Sequence, residues 1–336
     1  VLLKKILVAA ALALFVSGFG LSIWLWQSYD SALQNPVSNN PITIEIAKGD
    51  SFKQITDKLI TANLDINPFW FKVLALQNGS MTKIKTGEYS LEAGLTMPGI
   101  LALFVLGKTK QYSITFAEGL SFKQMREKLA ADPNVEHTLD AVDAETLMTS
   151  LNADVKHPEG AFFPDTYFFE KHTTDAALLK RAYSKMQAII QQEWSVKADN
   201  LPIKTPYEAL ILASIVEKET AAKAERPQIA GVFTRRLQHN MLLQTDPTVI
   251  YGMGDSYKGN ITSTDLQTAT PYNTYKIRGL PPTPIAMPGH DAIKAVLHPA
   301  PGDTLYFVAR GDGTHVFSST LKEHNAAVDR YQRNLK

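Results

Sequence analysis

Residues Ile6–Trp26 form an uncharged run of 21 mostly apolar residues, and no other feature limits the chain's folding options as much. About 20 helical residues cross the hydrocarbon core of a bilayer. A helix also pairs its own backbone amides there, where no water can. Lys4 and Lys5 precede the run and mark its cytoplasmic end. Trp24 and Trp26 stand at the other end, where amphipathic rings favour the membrane–water interface. A cleaved signal peptide has a shorter apolar stretch and a small-residue cleavage site, and no clear Ala-x-Ala follows here. The expectation is an uncleaved single-pass anchor over 6–26, with a cytoplasmic tip at 1–5. Everything after Gln27 then lies outside the cytoplasm. Ser28–Pro41, polar and rich in Asn, Ser and Pro, reads as a linker within 27–41.

The 336 residues exceed one average domain. With no cysteine, thiolate metal sites, cysteine nucleophiles and disulfides are excluded. A net charge of +1 gives no electrostatic case for nucleic acid. His290, His298, His315 and His324 are scattered without a His-x-x-x-His pair, so no metal is expected. There is no Gly-x-Ser-x-Gly elbow and no phosphate loop, and no cofactor is expected either.

An internal repeat organises the next part. Ile44-Glu-Ile-Ala-Lys-Gly-Asp-Ser-Phe-Lys-Gln54 matches Ile114-Thr-Phe-Ala-Glu-Gly-Leu-Ser-Phe-Lys-Gln124 at an offset of 70, and Lys58-Leu59 matches Lys128-Leu129. Each copy reads as a strand, a glycine turn, a serine N-cap and an amphipathic helix. A looser third copy is Gly87–Leu91, Gly94-Leu-Thr96 and a helix over Pro98–Leu106. Such units suggest small α+β modules, with one module over residues 42–108 and a larger domain over 109–336.

Within the larger part, Thr205-Pro206-Tyr207-Glu208 signals a helix start: threonine N-cap, proline at the first position and a capping-box glutamate at the third. Pro227 suggests a stop or a new start. The helix ends in Ala213-Ser-Ile-Val-Glu-Lys-Glu-Thr220. Glu219 falls on the face of Leu212, Ile215 and Val216. Glu217 falls on the weaker face of Leu210, Ala213 and Ser214, about 200° away. A carboxyl ending a core-facing stripe is partly desolvated, which raises its pKa and suits a general acid near neutral pH. The bland reading is a glutamate ion-paired to Lys223 one turn on.

A dense aromatic segment, Pro158-Glu-Gly-Ala-Phe-Phe-Pro-Asp-Thr-Tyr-Phe-Phe169, is either a packed core loop or a cleft wall for stacking on sugars. Helices are expected over Asp175–Trp194, Gln228–Gln238 and Leu321–Leu335, and a hairpin over Leu305–Ala309 and His315–Phe317. The loops around Met241–Gly252, Thr270–Tyr275 and Gly279–Gly289 lack the pattern to build a core. They carry Gln244, Thr245, Asp246, Tyr272, Asn273 and Tyr275, hydrogen-bonding groups suited to a polyhydroxylated ligand, although each alone is as good a turn residue. Carboxylate chemistry beside polar and aromatic loops fits glycosidic cleavage. Hydrolysis needs a second carboxylate, with Glu225, Asp246 and Asp165 as candidates. Lytic transglycosylation of murein needs only one.

The chain resembles the endolytic murein transglycosylases of the MltG/YceG-like family. The resemblance rests on Ala213–Thr220, Leu243-Gln-Thr-Asp-Pro-Thr-Val-Ile-Tyr-Gly252, Pro271-Tyr-Asn-Thr-Tyr275, Gly279-Leu-Pro-Pro282, and Glu159-Gly with Phe163-Pro-Asp-Thr166. It covers nearly the whole chain. It implies an α+β fold: one transmembrane helix, a LysM-like module over 42–108 and a mixed α/β catalytic domain over 109–336. It implies Glu219 as the acid/base. Motif position and residue type, rather than the resemblance, make Glu225, Gln244, Thr245, Asp246, Tyr272, Asn273 and Tyr275 the substrate-binding candidates. The resemblance also implies a periplasmic catalytic part on the bacterial inner membrane, peptidoglycan strands as substrate, and peptidoglycan synthases as partners in terminating strands. The rival expectations are a membrane-anchored glycan-binding scaffold without catalysis and a two-carboxylate hydrolase.

Overall fold

The apolar run is helical, as its length and composition require, but the helix is longer than the run. In the computed structural model, which describes residues 1–333, α1 spans Leu2–Gln34. It therefore continues well into the segment expected to be a linker. The remainder is tied down as well. Val37 is buried, its N–H donates to Leu95 O at 2.8 Å, and its carbonyl accepts from Asp65 N at 2.8 Å.

The chain divides into two compact units, one up to Tyr112 and one from Ser113. In the first unit, α1 is followed by β1 (Ile42–Ile46), α2 (Phe52–Thr61), α3 (Pro68–Gln77), β2 (Gly87–Leu91) and α4 (Met97–Leu106). β1 and β2 pair antiparallel, from Ile42 opposite Leu91 to Ile46 opposite Gly87. Ile44, Ile46, Leu59, Phe71, Tyr89, Leu91, Ile100 and Phe104 close one core.

β3 (Gln111–Thr115) runs across the boundary between the units, and α5 (Phe122–Ala131) follows it in the second. The repeat seen in sequence is a repeat of capping geometry. Ser51 and Gln54 close a capping box on α2, and Ser121 and Gln124 close the same box on α5. The shared Gln thus has a physical cause: it satisfies the serine N–H while the serine satisfies its own. The looser third copy lacks this box, since Thr96 caps α4 without a side-chain hydrogen bond.

The chain then runs through β4 (Val135–Glu136), α6 (Ala144–Ser150), β5 (Thr166–Glu170), β6 (Thr173–Thr174), α7 (Asp175–Ser195), α8 (Pro206–Glu219), α9 (Arg226–Gln238), α10 (Asp246–Met253), α11 (Ser263–Gln267), α12 (His290–Leu297), β7 (Tyr306–Ala309), β8 (His315–Ser318) and α13 (Leu321–Val328). β3 pairs with β5, β4 with β6, and β7 with β8 as the expected hairpin. The last helix is shorter than expected: α13 gives way to a π-helical turn over Asp329–Arg333, and Leu335 lies outside the described residues. Fold class α+β stands, with the second unit mostly helical.

α8 is its central element. Every residue from Ala209 to Val216 is buried, and α7, α9, α10 and α12 pack around it. A helix apolar on all sides is a core helix. The two stripes read from the sequence are therefore both buried, against different neighbours. Ser214, the one hydroxyl among these residues, donates to Ile211 O at 2.7 Å and accepts from Ile285 N at 2.9 Å. The aromatic segment is core as well. Phe162 stacks on Phe122 at 5.4 Å, and Phe163, Tyr167 and Phe169 are buried. The apolar area of these four rings is consumed by packing, largely against α5 and α7, which leaves them no face for a ligand, while Phe168 of the same segment is 62% exposed and does not line the cleft described below.

Candidate active site

α8 starts as its sequence signals: Thr205 Oγ1 accepts from Glu208 N at 3.1 Å, with Pro206 in the first turn. The expected reciprocal half of the capping box is absent, because the Glu208 carboxylate takes Lys204 N instead. At the other end the helix stops at Glu219, and Thr220 is fully extended at φ −146° and ψ 136°. Thr220 Oγ1 receives Ala222 N at 3.0 Å and turns the chain away. Glu219 thus sits where the helix macrodipole is negative, a place that disfavours a carboxylate.

The two glutamates of the motif diverge as expected. Glu217 is clamped: Arg226 Nη2 donates to Oε1 at 2.5 Å, and Gly289 N, the N-cap of α12, donates to Oε2 at 3.0 Å. Arg226 is only 3% exposed, and its Nε and Nη1 have no hydrogen-bond partner. This pair pins the last turn of α8 to the starts of α9 and α12. Lys223, the expected partner of Glu219, pairs with Asp291 at 2.9 Å.

Glu219 receives a hydrogen bond from the Thr245 hydroxyl. Desolvation pushes its carboxyl up to about 7; the negative charge of Asp246 adds to this, while the Thr245 bond and Arg236 work against it. A glutamic acid near 7 is protonated for part of the time at neutral pH and gives or takes a proton readily.

Thr245 is held by a buried threonine cluster. Thr245 N donates to Thr274 Oγ1 at 3.0 Å, the Thr248 hydroxyl donates to Thr245 O at 2.7 Å, and the Thr248 and Thr274 hydroxyls are 2.9 Å apart. Gln244, just before it, has φ +52°, a left-handed conformation that glutamine adopts at a cost. It is stabilised by Gln244 N donating to Thr274 O at 3.1 Å. Arg236 of α9 supports the same loop, donating to Leu242 O at 3.2 Å and Leu243 O at 2.8 Å. The expectation that these loops cannot build a core is corrected here. Leu243, Thr245, Thr248, Val249, Thr274, Ile285 and Met287 are all buried, held by side-chain-to-backbone bonds that no hydrophobic period reveals.

The other candidates separate. Asp246 is exposed and receives the Tyr275 hydroxyl at 2.6 Å, which places both in the field of Glu219. Tyr272 bonds Thr283 Oγ1 at 2.8 Å and meets Tyr251 edge-on at 5.0 Å. Asn273 is not free for a ligand. Its amide donates to Asp265 O at 3.1 Å, Leu266 O at 3.1 Å and Thr268 O at 2.6 Å, which ties α11 to the loop. Glu225 is likewise engaged, receiving His315 N at 3.0 Å and lying 2.7 Å from His315 Nδ1. Asp165 pairs with Lys185.

A cleft of about 970 Å³ opens beside α8, lined among others by Lys218, Glu159, Tyr251, Tyr257, Tyr272 and Pro247. Lys123 and Asp255, also in its lining, are paired at 2.7 Å. The cleft's aromatics thus come from α10 and the loops after it, not from the 158–169 segment. Glu159 is the residue that sequence reasoning did not assign. It is 3% exposed, receives Phe122 N at 3.0 Å and the Tyr251 hydroxyl at 3.2 Å, and burial pushes its carboxyl up to about 7. Its one sequence signal is position: a carboxylate heading a buried aromatic run, followed by Gly160 at φ +74°, where any Cβ would collide with Pro284.

A membrane-spanning candidate helix, a helix-terminal glutamic acid poised near neutrality and a cleft with tyrosine walls are the combination that the sequence motifs anticipated. Glu219 is not itself among the residues lining this cleft; α8 contributes Lys218 to it. The YceG-like family model matches residues 44–330, and the chain belongs to that family. It is 32% identical over 323 residues to an endolytic murein transglycosylase of Bacillus subtilis, covering 90% of this chain and 89% of that one. It is 28% identical over 327 residues to the endolytic murein transglycosylase of Streptococcus pneumoniae serotype 2, with 87% of this chain spanning 58% of that longer protein. Among solved structures, a YceG-like protein from Listeria monocytogenes matches with a TM-score of 0.56 and 30% identity, over 86% of this chain and 99% of that one.

Proposed function

We propose that this protein is a peptidoglycan lytic transglycosylase with Glu219 as its single acid/base. The observation that carries the reading is the Glu219 carboxyl, held near 7 by desolvation at the end of α8 and oriented by Thr245. In the proposed reaction, neutral Glu219 gives its proton to the oxygen between N-acetylmuramic acid and N-acetylglucosamine as the bond to C1 breaks. The resulting carboxylate then takes the proton of the muramic C6 hydroxyl while that oxygen bonds to C1. The acid is regenerated, no water is consumed, and the product ends in a 1,6-anhydro ring. The tyrosines of the cleft offer faces for stacking on sugar rings, and Tyr275 with Asp246 offers polar contacts. The B. subtilis relative's name supports both the substrate and endolytic cutting.

The finer reading is single-pass anchoring by α1 in the inner membrane, with the rest outside the cytoplasm, cutting nascent strands beside a peptidoglycan synthase. The β1–α2–α3–β2 order with antiparallel outer strands supports a LysM-like module in the first unit. One observation favours a second chemistry: Asp246 is exposed, beside Glu219 and held by Tyr275 on one oxygen only, as a base activating water would be. Glu219→Gln tests the reading. It should abolish cleavage of purified sacculi while leaving sacculus binding intact, and Glu217→Gln should cost much less. Undiminished cleavage by Glu219→Gln would remove the assignment.

A further inference from the structure

α3 buries Phe71, Leu74 and Ala75 in the core of the first unit and leaves a second apolar stripe outside. Phe69 is 62% exposed and Leu76 58% exposed. Seven residues apart, they lie within about 20° of the same direction around the helix. Val73, half-buried, falls between them, and exposed Lys72 flanks them. The residues next to this pair bind the end of α1. Trp70 Nε1 donates to Ser28 Oγ at 3.0 Å, and its ring meets Tyr29 at 5.1 Å. The Tyr29 hydroxyl donates to Gln77. Phe69 itself packs edge-on against Trp70 at 4.7 Å.

Tyr29 is three residues past Trp26, where the apolar run ends, so it lies about 4.5 Å further along the helix axis. Direct contact therefore holds α3 within one helical turn of the point where α1 would leave the hydrocarbon. No flexible tether intervenes, since α1 is helical through Gln34. That depth is the interfacial zone, where Trp and Tyr concentrate and where an exposed apolar stripe finds partners of its own kind.

We propose that α3 is a membrane-docking helix whose Phe69–Val73–Leu76 stripe lies in the lipid interface on the non-cytoplasmic side, with Lys72 extended toward headgroup phosphates. The inference rests on the reading of α1 as a membrane anchor. Lipid is the occupant because the patch is continuous with the membrane-crossing helix through Ser28, Tyr29 and Trp70. In this arrangement the first unit is seated on the bilayer rather than suspended from it.

The chain has no cysteine, so a single introduced one is a unique label site. The full chain carrying Phe69→Cys or Leu76→Cys is nitroxide-labelled and reconstituted in phosphatidylethanolamine–phosphatidylglycerol vesicles. Accessibility to oxygen and to a water-soluble nickel chelate is then compared. Phe15→Cys, in the middle of the apolar run, sets the hydrocarbon value, and Lys53→Cys, exposed on α2, sets the water value. The oxygen-to-nickel ratio at 69 and 76 is expected several-fold above that at 53 and below that at 15. Water-like values at 69 and 76 with a lipid-like value at 15 overturn the proposal and leave the anchor standing. A water-like value at 15 overturns both. Spin–spin broadening at 69 and 76 that vanishes on dilution with unlabelled protein would assign the stripe to a second copy of the chain, which also overturns it.

Discussion

Replacing Glu219 by glutamine should remove activity and add stability, and the addition should depend on pH in a defined direction. Glu219 has its folded-state pKa raised from 4.5 to about 7. A raised carboxyl contributes fully to stability below its unfolded pKa and loses that contribution as pH rises through the folded value. Each unit is worth 1.36 kcal/mol, so a shift of roughly 2.5 units amounts to about 3 kcal/mol lost by pH 8. Partial exposure of the residue lets solvent screen some of this, leaving about 2 kcal/mol. Glutamine has no charge to desolvate, and its carbonyl can still accept from the Thr245 hydroxyl. Urea unfolding of the purified 336-residue chain in detergent should give similar stabilities for wild type and Glu219→Gln at pH 5. At pH 8 the variant should be more stable by about 2 kcal/mol. Glu159, also near 7, contributes to the wild-type pH dependence but cancels in the comparison. A variant destabilised equally at both pH values would refute the reasoning, since that is how an ordinary hydrogen-bonded surface carboxylate behaves.

Two neighbours should move the same group in opposite directions. Thr245→Val removes a bond that favours the carboxylate, so the loss of cleavage rate at high pH should occur about one unit higher; Asp246→Asn removes a raising charge and should move it lower. Both are read from pH–rate profiles, and shifts of the same sign would contradict the arrangement. Glu217→Ala leaves the buried Arg226 without its main partner and should cost about 3–5 kcal/mol of stability by denaturant titration. Asn273→Ala should lower stability by about 1–3 kcal/mol, because its three bonds go to backbone carbonyls; a loss of sacculus binding with unchanged stability would instead make it a ligand residue.

Local chemistry made much of this fold legible. Thr205 and Pro206 announce the start of α8, Ser51 and Ser121 cap the repeated helices, and β7–β8 reads as a hairpin. Glu219 was legible too, as a carboxylate ending an apolar helix. What the sequence hid are partnerships across long separations. Thr245 meets Glu219 from 26 residues away, and Tyr251 meets Glu159 from 92. Hydrophobic periodicity says nothing about either contact. The loops after α9 were misread for the same reason: their burial rests on threonine hydroxyls, Asn273 and Arg236 bonding to backbone. Most rings of the aromatic segment turn inward, with Phe168 the exception, because composition does not reveal which face a ring presents. The linker reading failed over 28–34 because polar residues just past an apolar run can continue its helix, as they do through Gln34.

The central claim is that one carboxyl carries both proton transfers. Mass analysis of the fragments released from purified sacculi by the wild type, beside Glu219→Gln, tests it most directly. Anhydro-ended fragments from the wild type and none from the variant are the predicted result. Reducing ends, one water heavier, would contradict it and point to a hydrolase with Asp246 as second carboxylate.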